Sequence, residues 1–163
     1  MRRVLERAPD VLVSVSATTR PPRPGERDGI DYHFVQPEDF ERARTRGDLL
    51  EWAEVYGNLY GTPRAPLDEA LAAGRDVLCE LDIQGAMEVK EARPDAVLVF
   101  IEPPSLEDLA GRLRGRGTED PGSQSRRVAA AYDEIKAKSD YDHIIVNDRI
   151  EDAVESLVRI LQG

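Results

Sequence analysis

The chain has 163 residues, 40% hydrophobic and 33% charged, with a formal net charge of -10 and an isoelectric point near 4.7. That balance excludes a disordered chain, and its acidity excludes the extended basic footprint that nucleic-acid or anionic-membrane binding requires. The length fits one domain with a sizeable core.

In chain order, MRRVLERAPD has no apolar stretch that could serve as a signal peptide. Val11–Ser16 (VLVSVS) predicts a short strand, and the Pro- and Gly-rich segment after it an extended loop. PEDFERARTRG predicts a short helix stopped by Gly47, and LLEWAEV returns to strand character. GNLYGTPRAPLDEALAAG then reads as a turn feeding a helix that ends near Gly74. Three mostly apolar runs, DVLCELDI from Asp76 to Ile83, AVLVFIEPP and HIIVND, suit strands buried on both faces of a parallel sheet. Helical patterns lie around them: QGAMEVKEA; SLEDLAGRLRG, with Ser105 and Asp108 in a capping-box-like start; SQSRRVAAAYDEIKAKS; and IEDAVESLVRILQ. Alternation of strand and helix predicts an α/β sandwich with a parallel sheet. Gly115–Ser123 (GRGTEDPGS) is the best candidate for a mobile loop. No run approaches the roughly 18 apolar residues of a membrane helix, and the single cysteine, Cys79, excludes an internal disulfide framework and fits a reducing cytoplasm.

Several residues have side chains suited to chemistry. Arg20 and Arg23 flank two prolines that limit the backbone, either to grip a phosphate bidentately or simply to make surface ion pairs. Tyr32 in GIDYHF and Tyr60 in GNLYGT carry hydroxyls that can donate to phosphate or serve only packing. Glu51, in or beside a strand, offers two acceptor oxygens that complement adjacent N–H groups on a guanine edge; a solvent-facing strand residue is the other reading. Glu80 and Asp82 close a buried-type strand, where α/β sheets place ligands and an acid can orient a substrate or hold a magnesium-bound water. Arg112, Arg114, Arg116, Arg126 and Arg127 flank the polar loop, where lid arginines can neutralise charge on a transferred phosphoryl group. Cys79 has the character of a small buried apolar residue. His33 and His143 share no metal-ligand spacing with each other or with Cys79, so no metal site is assigned.

The strings SVSATTRPPRPGE, DGIDYHFV, LLEWAEVYGNLYGTP, LDIQGA, LRGRGTE and IIVND, from about Val4 to Leu161, together resemble the guanylate kinase family. The resemblance implies a P-loop-kinase-like parallel sheet flanked by helices, a small mixed β subdomain for GMP over residues 17–75 and a lid over 112–128, within one domain of residues 1–163. It implies transfer of the γ-phosphoryl of ATP to GMP, with Mg2+ accompanying ATP, and GMP and ATP as partners. By the same resemblance, Ser16, Glu51, Thr62 and Asp82 match positions that bind guanine, and Arg20, Arg23, Tyr32 and Tyr60 positions that grip the GMP phosphate. Arg116 and Arg127 match catalytic lid arginines, and Asn147 the segment that approaches adenine.

The chain departs from the family pattern at its start. Met1 aligns a few residues after the lysine of the family's phosphate loop, and no other segment has a G-x-x-x-x-G-K-[ST] pattern. The expectation is therefore a chain without the first central strand and phosphate loop, marginal in stability and inactive because the ATP β- and γ-phosphates have no seat. The alternative is a catalytically dead module of this type that binds GMP or a phosphopeptide.

Overall fold

The computed structural model describes residues 1–105, 107–109, 111 and 137–163. These form two units, Met1–Ala96 and Val97–Gly163.

The first unit opens with a one-turn helix, α1 (Arg2–Leu5), and strand β1 (Leu12–Val13). A four-stranded mixed sheet follows, in the order β3-β2-β5-β4. Its strands are β2 (Ala17–Thr18), β3 (His33–Phe34), β4 (Leu49–Val55) and β5 (Asn58–Pro63). β2 runs parallel to β3 and antiparallel to β5, which in turn pairs antiparallel with β4. Helix α2 (Pro37–Arg46) precedes β4. Proline at its first position and Gly47 past its end, at φ 75°, set its limits as expected. α2 places Phe40, 1% exposed, against Ala17 and Leu49, with Val35, Ala43 and Leu59 around them. Burying such a phenylalanine stabilises by about 1.5–3 kcal/mol.

A second cluster joins β4 to the helices. Leu50, Leu67 of α3 (Arg64–Ala72) and Val89 of α4 (Ile83–Ala92) pack together, covered by Val77, Cys79, Leu81 and Ala96. β6 (Val77–Leu78) pairs in parallel with β1. Two expected strands are thus shorter than the runs that predicted them. Of the run Asp76–Ile83 only Val77–Leu78 is strand, and its far end belongs to α4: Asp82 caps that helix, accepting from the Gly85 N–H at 2.8 Å, and Ile83 is already helical. Val11–Ser16 gives only Leu12–Val13, although the Ser14 N–H still donates to the Leu78 carbonyl at 3.0 Å. A third expectation fails outright: Asn58–Pro63 is a strand, not a turn. The turn lies just before it, at Tyr56 and Gly57, with φ 51° and 77°, the left-handed pair that closes a two-residue hairpin.

In the second unit β7 (Val99–Glu102) runs parallel to β8 (His143–Val146), and α5 (Ile150–Gln162) packs on β8. α5 buries Val154, Leu157 and Val158, the 3- and 4-residue spacing of one helix face. Lys138 pairs with Glu102 at 3.0 Å. Burial on both faces is not what these strands show: Ile101 is 51% exposed and Ile144 and Val146 nearly as much, each strand pairing only with the other among the described residues. Ser105 behaves as the capping pattern requires, its Oγ accepting from the Asp108 N–H at 3.0 Å. Most of the two helical patterns after it, with the polar loop between them, lies outside the described residues.

Candidate functional site

The floor of the site is built by an irregularity in the β4–β5 hairpin. Leu49 pairs with Pro63 and Trp52 with Gly61, so three steps along β4 match two along β5. The extra residue is a β-bulge, and it re-aims side chains. Strict alternation would send Leu50 and Glu51 to opposite faces. Here both meet the same helix, Leu50 packing with Val89 and Glu51 lying against Gly85.

Glu51 is 6% exposed, rare for a carboxylate. Thr62, fully buried on β5, donates its hydroxyl to Glu51 Oε1 at 2.6 Å. The other oxygen, Oε2, lies 2.7 Å from where a side chain at residue 85 would begin, with Asp82 Oδ1 3.2 Å from the same point. A side chain there would have to displace the carboxylate. Burial pushes the Glu51 carboxyl above its usual range, and nearby Asp82 and Glu88 push the same way while the Thr62 hydrogen bond opposes them. An acid held at that cost, tied to Thr62 and otherwise among apolar and acidic neighbours, suits a ligand that brings N–H donors.

The rim is the arm between β2 and β3. Arg20 lies over the rings of Tyr32 and Phe34, 5.4 and 5.8 Å from their centroids, and Tyr32 meets Tyr60 edge-on at 6.0 Å. Its Nη1 donates to the Pro21 carbonyl at 2.7 Å and to Glu26 Oε2 at 3.0 Å, and its Nη2 to Glu26 Oε1 at 2.9 Å. The bond to Glu26 is the main reason that the guanidinium is held more firmly charged than usual, and the Tyr60 phenol adds to it. Burial pushes the Tyr32 hydroxyl up, so it remains a donor at neutral pH. Arg23 contributes its backbone N–H to Glu26 Oε2 at 2.6 Å, while the residue as a whole is exposed.

Ser16, Tyr32, Glu51, Tyr60 and Asp82, with Ala53, Val55, Gly61, Glu80 and Leu81, line one cleft of about 370 Å³. That is within the size range of small-molecule sites. Of the remaining predicted residues in this unit, Thr62 supports the cleft from behind through Glu51, and Arg20 stands beside its Tyr32 wall. Arg23 is not among the lining residues. Asn147 belongs to the second unit, just after β8, where its backbone N–H donates to the Glu102 carbonyl at 2.7 Å. Arg116 and Arg127, and the span 112–128, lie outside the described residues. Cys79 is half-buried in the second cluster, its thiol pushed up by burial, as a packing residue would be. Among the described residues no group of three metal-ligating side chains comes together, and no helix is long and apolar enough to cross a membrane.

Two residues that shape this site were not foreseen. Glu26 sits six residues after Arg20 in a Pro–Gly turn, and that opposite charge at close spacing was its only signal. Gly85 stands in the first turn of a helix, where glycine costs about 1 kcal/mol relative to alanine, a signal of close approach.

A family model described as "Guanylate kinase" matches residues 2–163. The chain is 53% identical over 161 residues to a guanylate kinase of Gloeobacter violaceus, covering 99% of this chain and 78% of that protein. It is 53% identical over 165 residues to one of Mycobacterium sp. strain MCS, covering 100% and 83%. Among solved structures, the guanylate kinase of Anaplasma phagocytophilum superposes with a TM-score of 0.84 at 36% identity, over 99% of this chain and 80% of that one. These matches run through nearly every residue of the chain and give no support to the expectation of a shortened, inactive form.

Proposed function

The chain belongs to the guanylate kinase family, and from that premise we propose that it transfers the γ-phosphoryl of ATP to GMP, giving GDP and ADP, with the cleft above as its GMP site. The observation that carries the assignment is the buried Glu51 carboxylate, tied through one oxygen to Thr62 with the other beside Gly85. Guanine presents two adjacent N–H donors, on N1 and the exocyclic amine, and a carboxylate accepts both; adenine has no such pair. Ser16, Thr62 and Asp82 complete the base site. Arg20, Tyr32 and Tyr60 grip the phosphate, joined by Arg23 when its exposed side chain swings inward. Residues 17–75 form the GMP-binding part and 112–128 the lid.

Holding GMP at both ends aims a phosphate oxygen at the γ-phosphorus, so that a P–O bond forms as the bridge to the β-phosphate breaks. Magnesium arrives on ATP as part of that substrate. Arg116 and Arg127 neutralise the charge that develops, and Asn147 serves the adenine side.

Calorimetry of residues 1–163 is expected to show GMP binding well and AMP poorly; equal affinities would overturn the base assignment. The second reading, a module that binds GMP or a phosphopeptide without turnover, has in its favour that the 163 residues contain no lysine-bearing glycine loop. GMP-dependent release of ADP from Mg·ATP by this chain is expected of the kinase, and GMP binding without it of the module.

A further inference from the structure

A guanidinium has two edges that can grip a planar or tetrahedral oxyanion: the end formed by Nη1 and Nη2, and the side formed by Nε and Nη2. In Arg20 the end is taken. Both Glu26 oxygens lie on it, at 3.0 and 2.9 Å, and the Pro21 carbonyl takes the remaining Nη1 hydrogen at 2.7 Å. The side edge is different. Nε is buried and has no hydrogen-bond partner, the one such side-chain atom among the described residues. A buried donor left unpaired costs about 1–3 kcal/mol, so its persistence beside the cleft wall calls for a ligand.

Glu26 is itself fixed. Its Oε2 also accepts the Arg23 backbone N–H at 2.6 Å, and the Arg20 guanidinium, with that N–H, holds its carboxyl below the usual range. The aromatic rings of Tyr32 and Phe34 lie within cation–π range of the guanidinium. The Glu26-facing end of Arg20 is therefore held by this chain, and the Tyr60 phenol lies by the guanidinium as well; what stays without a partner is the Nε–H of the side edge.

Resting on the reading of the cleft as a GMP site, we propose that Glu26 is a positioning residue for the phosphate clamp: it binds Arg20 end-on and so keeps the side edge, with its unpartnered Nε–H, ready for a phosphate oxyanion. Glu26 touches no substrate and stays on Arg20 when the phosphate binds. Arg20 does not have to choose between its acid and its ligand, because the two use different edges.

A competing role is also possible in chemical terms, with Glu26 as a stand-in that phosphate must displace, and the two roles predict opposite signs. The test is calorimetry with GMP and with guanosine, which lacks the phosphate, on the unaltered chain, Glu26→Gln, Arg20→Ala and the double variant. Glutamine keeps the shape but puts an amide N–H against a guanidinium N–H, so Glu26→Gln is expected to weaken GMP roughly tenfold, the worth of one charge-assisted hydrogen bond. Guanosine binding should not change, and in the Arg20→Ala background the Glu26→Gln change should add nothing. Glu26→Asp, which keeps the charge, should recover part of the loss. Tighter or unchanged GMP binding in Glu26→Gln overturns the assignment in favour of displacement or of no role. Equal losses for GMP and guanosine overturn it in favour of general damage to the arm, as does a full additional loss without Arg20. If the unaltered chain binds guanosine as well as GMP, the phosphate clamp itself fails; if it binds neither, the reading of the cleft fails, and this one with it.

Discussion

The floor and the rim of the cleft hold charge in opposite ways. The floor carboxylate, Glu51, is buried with a neutral hydroxyl for its partner and other acids for neighbours. It is built by long-range packing: β4, β5 and α4 must all be in place before it exists. The rim arginine, Arg20, is paired with an acid six residues away, on an arm tied by its own short-range bonds. The Arg27 N–H donates to Asp31 at 2.7 Å, the Gly29 N–H to the Tyr32 carbonyl at 2.8 Å and the Phe34 N–H to Asp28 at 2.9 Å. A buried ion without a counterion is destabilising until a ligand comes, whereas for a paired one the cost is confined to the donor left over, here the Arg20 Nε–H. On the proposed reading of the cleft, the floor thus holds a whole charge for the ligand and the rim a single edge.

The largest effect expected from breaking this contrast is at the floor. Glu51→Gln should weaken GMP about 10²-fold, since a charged acceptor for two N–H donors is lost. It should also stabilise the unliganded chain, raising the thermal midpoint by about 2–4 °C for each kcal/mol of relief in a protein of this size. The pH dependence follows the same sign. With its folded value raised, Glu51 is a destabilising charge above that value, and the destabilisation fades as the pH falls through it. Lowering the pH should therefore strengthen the unliganded fold at this group while GMP binding declines, sooner than for an ordinary carboxylate. A Gln variant that neither gains stability nor flattens the acid limb of GMP binding would erase the contrast.

A smaller effect is expected at Gly85. A methyl group there would stand 2.7 Å from Glu51 Oε2, so Gly85→Ala must push the carboxylate aside. GMP affinity should fall about tenfold, one charge-assisted bond's worth, and the helix-propensity gain of about 1 kcal/mol should not appear in the thermal midpoint. The rim has effects of similar and smaller size. Arg20→Lys keeps the charge but loses both edges of the fork, and GMP should weaken about tenfold, as in Glu26→Gln, with guanosine unaffected. Arg23→Lys, on an exposed side chain, should weaken it only about twofold. If the two lysine variants ranked the other way, the two-edge account of Arg20 would be wrong.

The rim was the more legible region in the sequence, and the fold geometry explains why. Arg20, Arg23 and Tyr32 lie within one short segment whose proline and glycine content marks a shaped loop. The floor depends on pairing that no local pattern announces. Glycine at residues 57 and 61 and proline at 63 made β5 look like a turn, because the closing turn is at Tyr56–Gly57 and strand pairing overrides weak propensity. With β5 unseen, the Glu51–Thr62 bond could not be foreseen, although Glu51 stands out by its own chemistry and Thr62 through the family resemblance. Glu26 and Gly85 escaped for a related reason: each acts through a neighbour rather than on a ligand. The parallel runs were recognised as strands but drawn too long, since period alone does not show where a cap such as Asp82 intervenes.

The two-residue turn at Tyr56–Gly57 also has a consequence in time. A hairpin of this kind closes within about 1–10 μs, and its loop-closure entropy is small beside that of β1 and β6, where Leu12 must find Val77. Glu51 and Thr62 should thus meet early, before the parallel strands. Gly57→Ala, which strains a residue at φ 77°, is expected to slow refolding far more than it speeds unfolding in a chevron measurement; the reverse would place the hairpin late. On the proposed reading of the cleft, the part of the chain that discriminates between bases would then also be where its folding begins, so selection on one property cannot proceed without touching the other.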